Sequence, residues 1–370
     1  MGLAFYGGMS QAASSGINIE LGDQCSSVAF EWAQKTFKYR EGKDGSADTR
    51  LKGSYSQIMN YGDVRLAMSS DGVGTKIEIA ERAGIYHTLG FDLVAMVVDD
   101  LVCNGVEPAN LSNILDVDYL DESIVRKLME GLYEAAKVAK VSVTGGEIAE
   151  LGSRIGGYGE AMHFNWGATG IGVLPSSREL IDGSAVRAGD TIITIKSRGL
   201  RSNGFSRARQ LLGATFGDDW HKVMFQAEQS WGEALLTPAL IYTPGILKLF
   251  DEGVPVHGLV HVTGGGIAGN LKRMLKANQL GAQLDSLFEP HPLMQALQKM
   301  GTMSDEEAYR LWNMGNGMLV IVGAEDKELV LSLLEQQGYK AQEAGTVVPE
   351  KIITLKTQTM HSDALIYESC

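Results

Sequence analysis

Cysteine is scarce in this chain of 370 residues, and its three copies are widely spaced at Cys25, Cys103 and Cys370. Without a CxxC pair, neither a disulfide framework nor a structural zinc site is predicted. No apolar run reaches the roughly 18 residues that span a bilayer. The first residues also lack the cationic and then apolar pattern of a secretory signal. We therefore expect a soluble, cytoplasmic protein with reduced thiols.

Positive charge is also sparse. The 32 Lys and Arg residues face 45 Asp and Glu, which gives a formal net charge of −13, and they form no dense basic run. Nucleic acids and anionic membranes normally need a basic face, so neither is an expected partner. A local nucleotide site remains compatible with this charge. A composition that is 44% hydrophobic can bury a core, and 370 residues exceed what one core usually supports, so we expect two domains.

The order strand, glycine-rich turn, helix recurs in both halves of the chain, which is typical of the α/β and α+β classes. Hydrophobic periodicity predicts strands at 63–68, 141–144 and 257–262, and helices at 25–38, 122–140 and 243–251. We divide the chain into an N-terminal extension with a mobile loop (1–60), a first domain (61–174), a second domain (175–345) and a C-terminal tail (346–370). The glycines and charges of residues 40–60 make a lid a reasonable hypothesis.

Residues 71–76 read DGVGTK and follow a predicted strand. Gly72 and Gly74 let the backbone approach a ligand and present N–H groups to phosphate oxygens. Lys76 can neutralise phosphate charge, and Asp71 can bind Mg²⁺, a hard cation that prefers oxygen ligands. The segment is not a Walker A motif, which has four residues between its glycines. Taken alone, it is explained equally well by a tight turn with a surface lysine.

Acidic residues stand beside apolar segments at two further places. Asp99 and Asp100 interrupt an apolar helix; as neighbours they cannot share one helical face, so we expect one to face a metal or the cleft and the other to cap or pair. Glu147 and Glu150 follow two glycines, and a helical turn there would put both carboxylates on one side. Together with Asp71, these residues are an oxygen-ligand set for Mg²⁺ and lack the clustered Cys and His of a transition-metal site.

Two glycine-containing segments of the second half could bind an anion. Residues 201–204 read RSNG, and Arg201 is a natural bidentate partner for phosphate. Residues 261–266 read HVTGGG, and three glycines after a strand could form a concavity of backbone N–H groups. His257 and His261 would face one side of that strand. A core histidine is the more common outcome for His257, whereas His261 beside the glycines is the better site candidate.

Together these motifs resemble those of the phosphoribosylformylglycinamidine cyclo-ligase family, also called aminoimidazole ribonucleotide synthetase. The order and spacing of the motifs are retained from about residue 16 to residue 322, and six motifs in order are a specific signal. The matching segments are DGVGTK at 71–76, GFDLVAMVVDDL at 90–101 with Asp99 in place of Asn, GGEIAE at 145–150 with Ile148 in place of Thr, SNGFS at 202–206, HVTGGG at 261–266 with Val262 in place of Leu, and NMGNGM at 313–318.

This resemblance implies a two-domain synthetase of mixed α/β (α+β) class, with an N-terminal sheet that pairs into a barrel in a homodimer and a C-terminal α/β sandwich. ATP with Mg²⁺ would phosphorylate the formyl oxygen of formylglycinamidine ribonucleotide, and a neighbouring nitrogen would then close the ring. The products would be aminoimidazole ribonucleotide, ADP and phosphate, in purine biosynthesis. Positioning and electrostatic stabilisation of the transferring phosphoryl group would lower the barrier.

The resemblance also implies roles for the motif residues. The expected catalytic residues are Asp71, Lys76, Asp100 and His261. The expected ATP-binding residues are Asp71, Gly72, Gly74, Thr75, Lys76, Asp100 and Glu147, and the expected Mg²⁺ ligands among them are Asp71, Asp100 and Glu147. The expected substrate-binding residues are Arg201, Ser202, Asn203, Gly204, Thr263, Gly264, Gly265 and Gly266.

Three departures from the family's pattern matter for the chemistry. A lysine expected in the first helix is Phe30, the histidine before SNG is Arg201, and a Gly-rich loop with phenylalanine reads GSYSQI at 53–58. Arginine keeps a positive charge but cannot act as an acid or base near neutral pH, so His261 would take over any proton transfer. The alternatives are a non-catalytic nucleotide-binding homologue and another ATP-dependent enzyme of the superfamily, such as formylglycinamidine synthetase, selenophosphate synthetase or thiamine-phosphate kinase.

Overall fold

Two β-sheets, each with its own helices, organise the chain and confirm the predicted mixed α/β class with two domains. The computed structural model describes residues 19–48, 55–359 and 364–369. Within these ranges, every helix is too short or too polar to cross a lipid bilayer. Of the residues discussed above, Cys370 and positions 53 and 54 lie outside the described residues.

The first sheet contains six strands, β1 (Ser46–Ala47), β2 (Gln57–Tyr61), β3 (Val64–Gly72), β4 (Glu107–Val117), β5 (Ser142–Glu150) and β6 (Phe164–Leu174). Their spatial order is β1-β2-β3-β6-β4-β5. Only β4 and β5 are parallel neighbours; the other described pairs of this sheet are antiparallel. The helices of this part of the chain are α1 (Ile19–Thr36), α2 (Ile77–Ala83), α3 (Leu89–Cys103) and α4 (Glu122–Ala139).

Helix α3 forms the centre of the first domain. It is apolar on nearly every side, and all its residues except Phe91 and Asp100 are buried. It packs on β3, β4 and β6 and against α4. The two helices cross closely, because a Cβ at Gly90 would lie 2.2 Å from the carbonyl carbon of Gly131. The amphipathic α4 begins at Asp121, whose side chain accepts hydrogen bonds from two backbone N–H groups.

The opposite face of the first sheet is not covered by any described helix. Its strands alternate between buried side chains toward α3 and exposed side chains on the open face. Large apolar side chains on this open face are 37–55% exposed, namely Val64, Met68, Ile114, Ile171 and Val173. A single chain therefore leaves one side of its first sheet apolar and exposed.

The second sheet contains seven strands, β7 (Thr191–Lys196), β10 (Val256–His261), β11 (Gly281–Leu284), β12 (Asn316–Val322), β13 (Ala341–Val348), β14 (Ile352–Lys356) and β15 (Ala364–Glu368). Their spatial order is β10-β12-β7-β13-β11-β14-β15, and every residue of β12 is buried. A separate ribbon pairs β8 (Met224–Gln226) with β9 (Gln229–Ser230). The helices are α5 (Phe205–Phe216), α6 (Trp231–Leu235), α7 (Thr243–Asp251), α8 (Gly266–Leu275), α9 (Pro292–Met300), α10 (Asp305–Leu311) and α11 (Lys327–Gln336).

Three expectations about the elements are corrected. The predicted tail 346–370 is largely part of the second sheet, because β14 pairs parallel with β11 and antiparallel with β15. The predicted strand 141–144 extends through both glycines to Glu150, because it pairs along its whole length with β4. The mobile loop predicted within residues 1–60 includes the strand β1, which pairs with β2, and residues 49–54 lie outside the described residues. The division of the chain at residue 174 stays a prediction.

Candidate active site

Three carboxylates of α3 point toward the second domain. Asp92, Asp99 and Asp100 lie within about 100° of one another around the helix axis at 3.6 residues per turn. Asp92 and Asp99 are fully buried, and the side chain of Asp100 is 17% exposed. Buried carboxylates need hydrogen-bond or ionic partners. The partners of these three residues therefore show which parts of the second domain contact α3.

Asp99 ties α3 to the start of α7. Its Oδ1 accepts hydrogen bonds from the backbone N–H groups of Tyr242 at 2.9 Å and Thr243 at 3.0 Å, and from the Thr243 hydroxyl at 3.0 Å. Its Oδ2 lies 2.9 Å from Nη2 of Arg201. The expectation that one acid of the Asp99–Asp100 pair caps or pairs is therefore confirmed, and Asp99 is that residue.

Arg201 faces the domain interface and is only 2% exposed. Its Nη1 donates to the carbonyl of Leu240 at 2.6 Å, and its Nη2 contacts both Asp99 and, at 2.8 Å, Nε2 of His261. The guanidinium carbon lies 4.7 Å from the centre of the Tyr242 ring. This arrangement corrects the expected contact between Arg201 and substrate phosphate, because the guanidinium is enclosed by protein.

His261 connects Arg201 to Asp100. Its Nδ1 lies 2.7 Å from Oδ1 of Asp100, and the ring is fully buried. Burial lowers the pKa of His261 to about 3, and the charge of Arg201 acts in the same direction. The buried ring is therefore neutral, and both of its nitrogens are hydrogen-bonded, Nε2 to Arg201 and Nδ1 to Asp100. It has no free position for the proton transfer that was expected of His261.

Asp100 is the acid of α3 that remains partly open. Its Oδ2 lies 3.4 Å from the Ser69 hydroxyl on β3. Burial raises the pKa of Asp100 to about 7, and the positive charge of Arg273 opposes that rise. Burial also raises the pKa of Asp71 at the end of β3, and the negative charge of Asp100 adds to this effect. The negative charge of Asp100 therefore acts on Asp71, and a cation bound near the two carboxylates would offset their repulsion.

Lys76 does not face the cleft. It is fully buried, and its Nζ lies 2.8 and 2.7 Å from the two carboxylate oxygens of Asp92 and 2.8 Å from the carbonyl of Thr237. An ammonium group has three donors, and all three are used here. The expected phosphate contact of Lys76 is thus replaced by a buried ion pair with Asp92 of α3 and a hydrogen bond to the Thr237 carbonyl of the second domain.

Glu147 is separated from the two carboxylates of the expected Mg²⁺ site. Asp71 on β3 pairs with Ala168 on β6, and Ala168 pairs with Asn113 on β4. Asn113 in turn pairs with Gly146 on β5, the residue before Glu147. Three strand spacings of about 4.8 Å make this about 14 Å. Glu147 also pairs with Ile114 on the open face, whereas Asp71 lies on the covered face.

The three expected Mg²⁺ ligands do not converge within one chain, because Glu147 lies apart from Asp71 and Asp100. Among the described residues, no three His, Cys, Asp or Glu side chains converge on a cation position. The expectation that Glu147 and Glu150 share a side is also wrong, because residues three apart on β5 face opposite sides of the strand.

Three loops from the predicted motifs border one cleft. The Ser206 hydroxyl lies 3.2 Å from that of Thr75, and a Cβ at Gly74 would lie 3.9 Å from the carbonyl oxygen of Ser202. A Cβ at Gly264 would lie 3.7 Å from Oδ1 of Asn203. The DGVGTK, SNG and TGGG segments are therefore neighbours in space, although more than 100 residues separate the first from the others.

The glycine loop 263–266 is fixed by hydrogen bonds from Asn270 on α8. The buried amide of Asn270 donates to the carbonyls of Gly264 at 3.1 Å and Gly266 at 2.8 Å. Gly266 has φ 67°, and a Cβ there would lie 1.8 Å from the carbonyl oxygen of Tyr309. Only glycine fits this position. Asn270 was missed by sequence reasoning, although its place on the helix that follows three glycines is a usable signal.

A cation at the mouth of the cleft was also missed. The guanidinium of Arg273 on α8 stacks 4.7 Å from the ring centre of Tyr55, and the Tyr55 hydroxyl lies 3.5 Å from the carbonyl oxygen of His261. Arg273 is exposed, and it forms no ion pair within the described part of the chain. A cation next to Asp100 that is free of a carboxylate partner can bind an anionic group.

Ser202 supplies a further sign of a ligand site. Its hydroxyl is buried and has no hydrogen-bond partner among the described residues. A buried hydroxyl normally has a partner, so this one is available to a ligand atom. It lies in the SNG segment, where substrate contacts were expected.

Comparisons with known proteins identify the family of this chain. Family models described as "AIR synthase related protein, N-terminal domain" and "AIR synthase related protein, C-terminal domain" match residues 55–173 and 187–358. A phosphoribosylformylglycinamidine cyclo-ligase of Thermococcus kodakarensis is 38% identical over 338 residues, which cover 91% of this chain and 95% of that protein. The protein of the same name from Pyrococcus furiosus is 36% identical over 335 residues, or 90% and 94% of the two chains.

Solved structures share the fold at low identity. The crystal structure of a HypE–HypF complex superposes with a TM-score of 0.58 at 19% identity, covering 84% of this chain and 92% of that one. PurL of T. maritima complexed with ATP gives a TM-score of 0.55 at 15% identity, covering 90% of this chain and 48% of the longer one.

Proposed function

The chain belongs to the phosphoribosylformylglycinamidine cyclo-ligase family, and from this premise we propose that it closes the imidazole ring of aminoimidazole ribonucleotide in purine biosynthesis. The observation that carries the proposal is 38% identity over 91% of this chain and 95% of a relative with that name. The meeting of the DGVGTK, SNG and TGGG segments at one cleft supports it. We place the reaction in the cytoplasm, where the free thiols of Cys25 and Cys103 stay reduced.

The reaction would begin on ATP and formylglycinamidine ribonucleotide. The formyl oxygen attacks the terminal phosphorus of ATP, so an O–P bond forms and ADP leaves. The neighbouring nitrogen then attacks the activated carbon, the C–O bond to phosphate breaks, and the ring closes with loss of a proton. Such a sequence depends mainly on positioning and on stabilising charge at the phosphoryl group.

Asp71 and Asp100 are the residues that would hold Mg²⁺. Mg²⁺ usually binds one or two carboxylates together with substrate phosphates, and a pair of carboxylates fits that habit. When bound, it neutralises charge on the phosphate oxygens. Gly72, Gly74 and Thr75 follow directly and would present backbone N–H groups and a hydroxyl to the nucleotide phosphates.

The substrate would bind between the two loops of the second domain. The proposed contacts are Ser202, Asn203, Gly204, Thr263, Gly264, Gly265 and Gly266. The unpartnered hydroxyl of Ser202 supports this placement. Arg273, held flat by Tyr55, is a second cationic group that would attract phosphoryl oxygens at the mouth of the cleft.

The direct test is turnover of formylglycinamidine ribonucleotide with Mg²⁺ and ATP, following aminoimidazole ribonucleotide and ADP together. We expect the two products to form in equal amounts. ADP without ring closure would point to another enzyme of the superfamily. Nucleotide binding without either product would identify a non-catalytic homologue.

We also propose that the protein is a homodimer formed through the open face of the first sheet. The exposed apolar side chains of β3, β4 and β6 lie next to one another there, and Met68 pairs directly with Ile171. An exposed apolar sheet face of this kind is typical of a surface that is covered by a partner. A second copy of the same sheet has the matching apolar surface.

A further inference from the structure

The side chains of Asp99, Arg201, His261 and Asp100 form one continuous chain of hydrogen bonds between the domains. The three links are 2.9 Å from Asp99 Oδ2 to Arg201 Nη2, 2.8 Å from Nη2 to His261 Nε2, and 2.7 Å from His261 Nδ1 to Asp100 Oδ1. Nη2 carries two hydrogens, so it can serve both Asp99 and His261. The position of Arg201 therefore links Asp99 to His261, and His261 links Arg201 to Asp100.

The guanidinium decides which nitrogen of His261 carries the proton. An arginine can only donate, so Nε2 must accept from Nη2. The hydrogen of the neutral ring is then on Nδ1, from which it is donated to Asp100. Without Arg201 at Nε2, the opposite tautomer would be open to the ring, and its Nδ1 lone pair would face the carboxylate of Asp100.

Arg201 is itself held in one position. Its backbone has φ 63°, an uncommon value for a residue with a side chain. Nη1 is bound to the Leu240 carbonyl, and the Tyr242 ring lies against the guanidinium. A buried guanidinium needs a counter-charge, and Asp99 provides it.

The two ends of this pair are also two of the positions at which the motifs depart from the family's pattern. Asp99 stands in place of an asparagine and Arg201 in place of a histidine, and the structure joins them by a buried ion pair at 2.9 Å. A charge introduced at one position is thus balanced by the opposite charge at the other.

We propose that Arg201, paired with Asp99, is a positioning residue that orients His261 so that Nδ1–H holds the Asp100 carboxylate toward the bound nucleotide. The functional part of this proposal rests on the proposed cyclo-ligase activity. Arg201 touches neither substrate nor nucleotide, and it acts through His261. Residues that orient a metal-binding carboxylate in this way typically change metal affinity or activity 10- to 100-fold when they are replaced.

The test is Arg201→Lys, which keeps the positive charge and removes the planar fork that reaches Asp99, His261 and Leu240 together. We expect the Mg²⁺ concentration for half-maximal activity to rise about tenfold or more, with a lower kcat. KM for formylglycinamidine ribonucleotide should stay within about twofold, since the replacement changes a buried side chain and leaves the residues of the adjoining SNG and TGGG loops unaltered.

A matched control is Arg178→Lys, because Arg178 also bonds a carbonyl, that of Gly105 at 2.9 Å, and stacks on Phe250, but lies outside the cleft. It should leave the Mg²⁺ requirement unchanged. If Arg201→Lys does not fold, Asp99→Asn gives the same readouts, because its amide oxygen still accepts the hydrogen bonds from the start of α7.

A readout independent of turnover is the ¹⁵N spectrum of protein labelled in histidine. His261 should show the Nδ1-protonated neutral form in the wild type and a mixture of tautomers in Arg201→Lys. An unchanged tautomer together with an unchanged Mg²⁺ requirement would overturn the proposal. If the wild type lacks cyclo-ligase activity, the proposed function fails, while the tautomer and direct Mg²⁺-nucleotide binding by calorimetry still decide the role of Arg201.

Discussion

At the scale of single residues, Asp100 combines a functional position with a cost in stability. Burial raises its pKa to about 7, from an ordinary value of 3.8. Between these two values the folded protein holds a proton that the unfolded chain releases. Stability therefore falls as the pH rises through this window, and at pH 8 the full cost of a buried carboxylate is present.

Asp100→Asn should accordingly raise the free energy of unfolding at pH 8 by about 1–3 kcal/mol, since one pKa unit corresponds to about 1.4 kcal/mol. The gain should shrink as the pH falls toward 4, because the folded wild type is then protonated and the unfolded chain begins to take up the same proton. Urea unfolding at pH 8, 6 and 4.5 measures this, and nucleotide binding with Mg²⁺ should weaken in the same variant. An equal loss of stability at every pH would contradict the prediction.

Residue identity alone could predict part of this site. Asp99 and Asp100 are neighbours, so different roles follow from helix geometry without any structure. Which of them faces the cleft could not be predicted, because the deciding partners Arg201 and Thr243 lie more than 100 residues away. Lys76 was misplaced for the same reason, since its position depends on Asp92 and a carbonyl of the second domain.

At the scale of elements, the ion pair between α3 and the DGVGTK segment can be tested directly. Lys76→Met leaves the Asp92 carboxylate buried without a partner, and this should lower the free energy of unfolding by about 3–5 kcal/mol. The double variant Lys76→Met with Asp92→Leu should recover most of that loss. Urea unfolding of the single and double variants measures both effects.

The control for this pair is Glu31→Gln, which breaks an exposed ion pair with Lys35 on α1 and should cost less than about 1 kcal/mol. Nucleotide binding separates a structural lysine from a phosphate ligand. The folded double variant should bind Mg²⁺ and ATP as the wild type does. Loss of nucleotide binding in the double variant would indicate that Lys76 contacts the nucleotide phosphates after all.

The elements differ in how far sequence alone could predict them. Helix α7 has the predicted bounds and α4 nearly so, because both show a clear apolar stripe. Strand β5 was predicted too short because Gly145 and Gly146 are typical of a turn. Its length is set by pairing with β4, and most of its side chains are exposed, so no alternation marks it.

At the scale of the whole molecule, the open face of the first sheet predicts the oligomeric state. Ile114→Glu places a charge in the centre of that face and should convert the dimer to a monomer of 39.9 kDa. Light scattering after size-exclusion chromatography measures the mass. Leu329→Glu, at a similarly exposed apolar position on α11, should leave the dimer intact. A wild type that is already monomeric would refute the proposed interface.

The position of α3 between the two domains also determines when, during synthesis of the chain, the proposed site can form. Asp99 and Asp100 lie on α3, whereas their partners Arg201, Thr243 and His261 all belong to the second domain. A chain emerging from the ribosome therefore exposes these acids to water before their partners are made. The proposed nucleotide site is completed only when the second domain docks, so we expect a half-synthesised chain neither to bind nor to consume ATP.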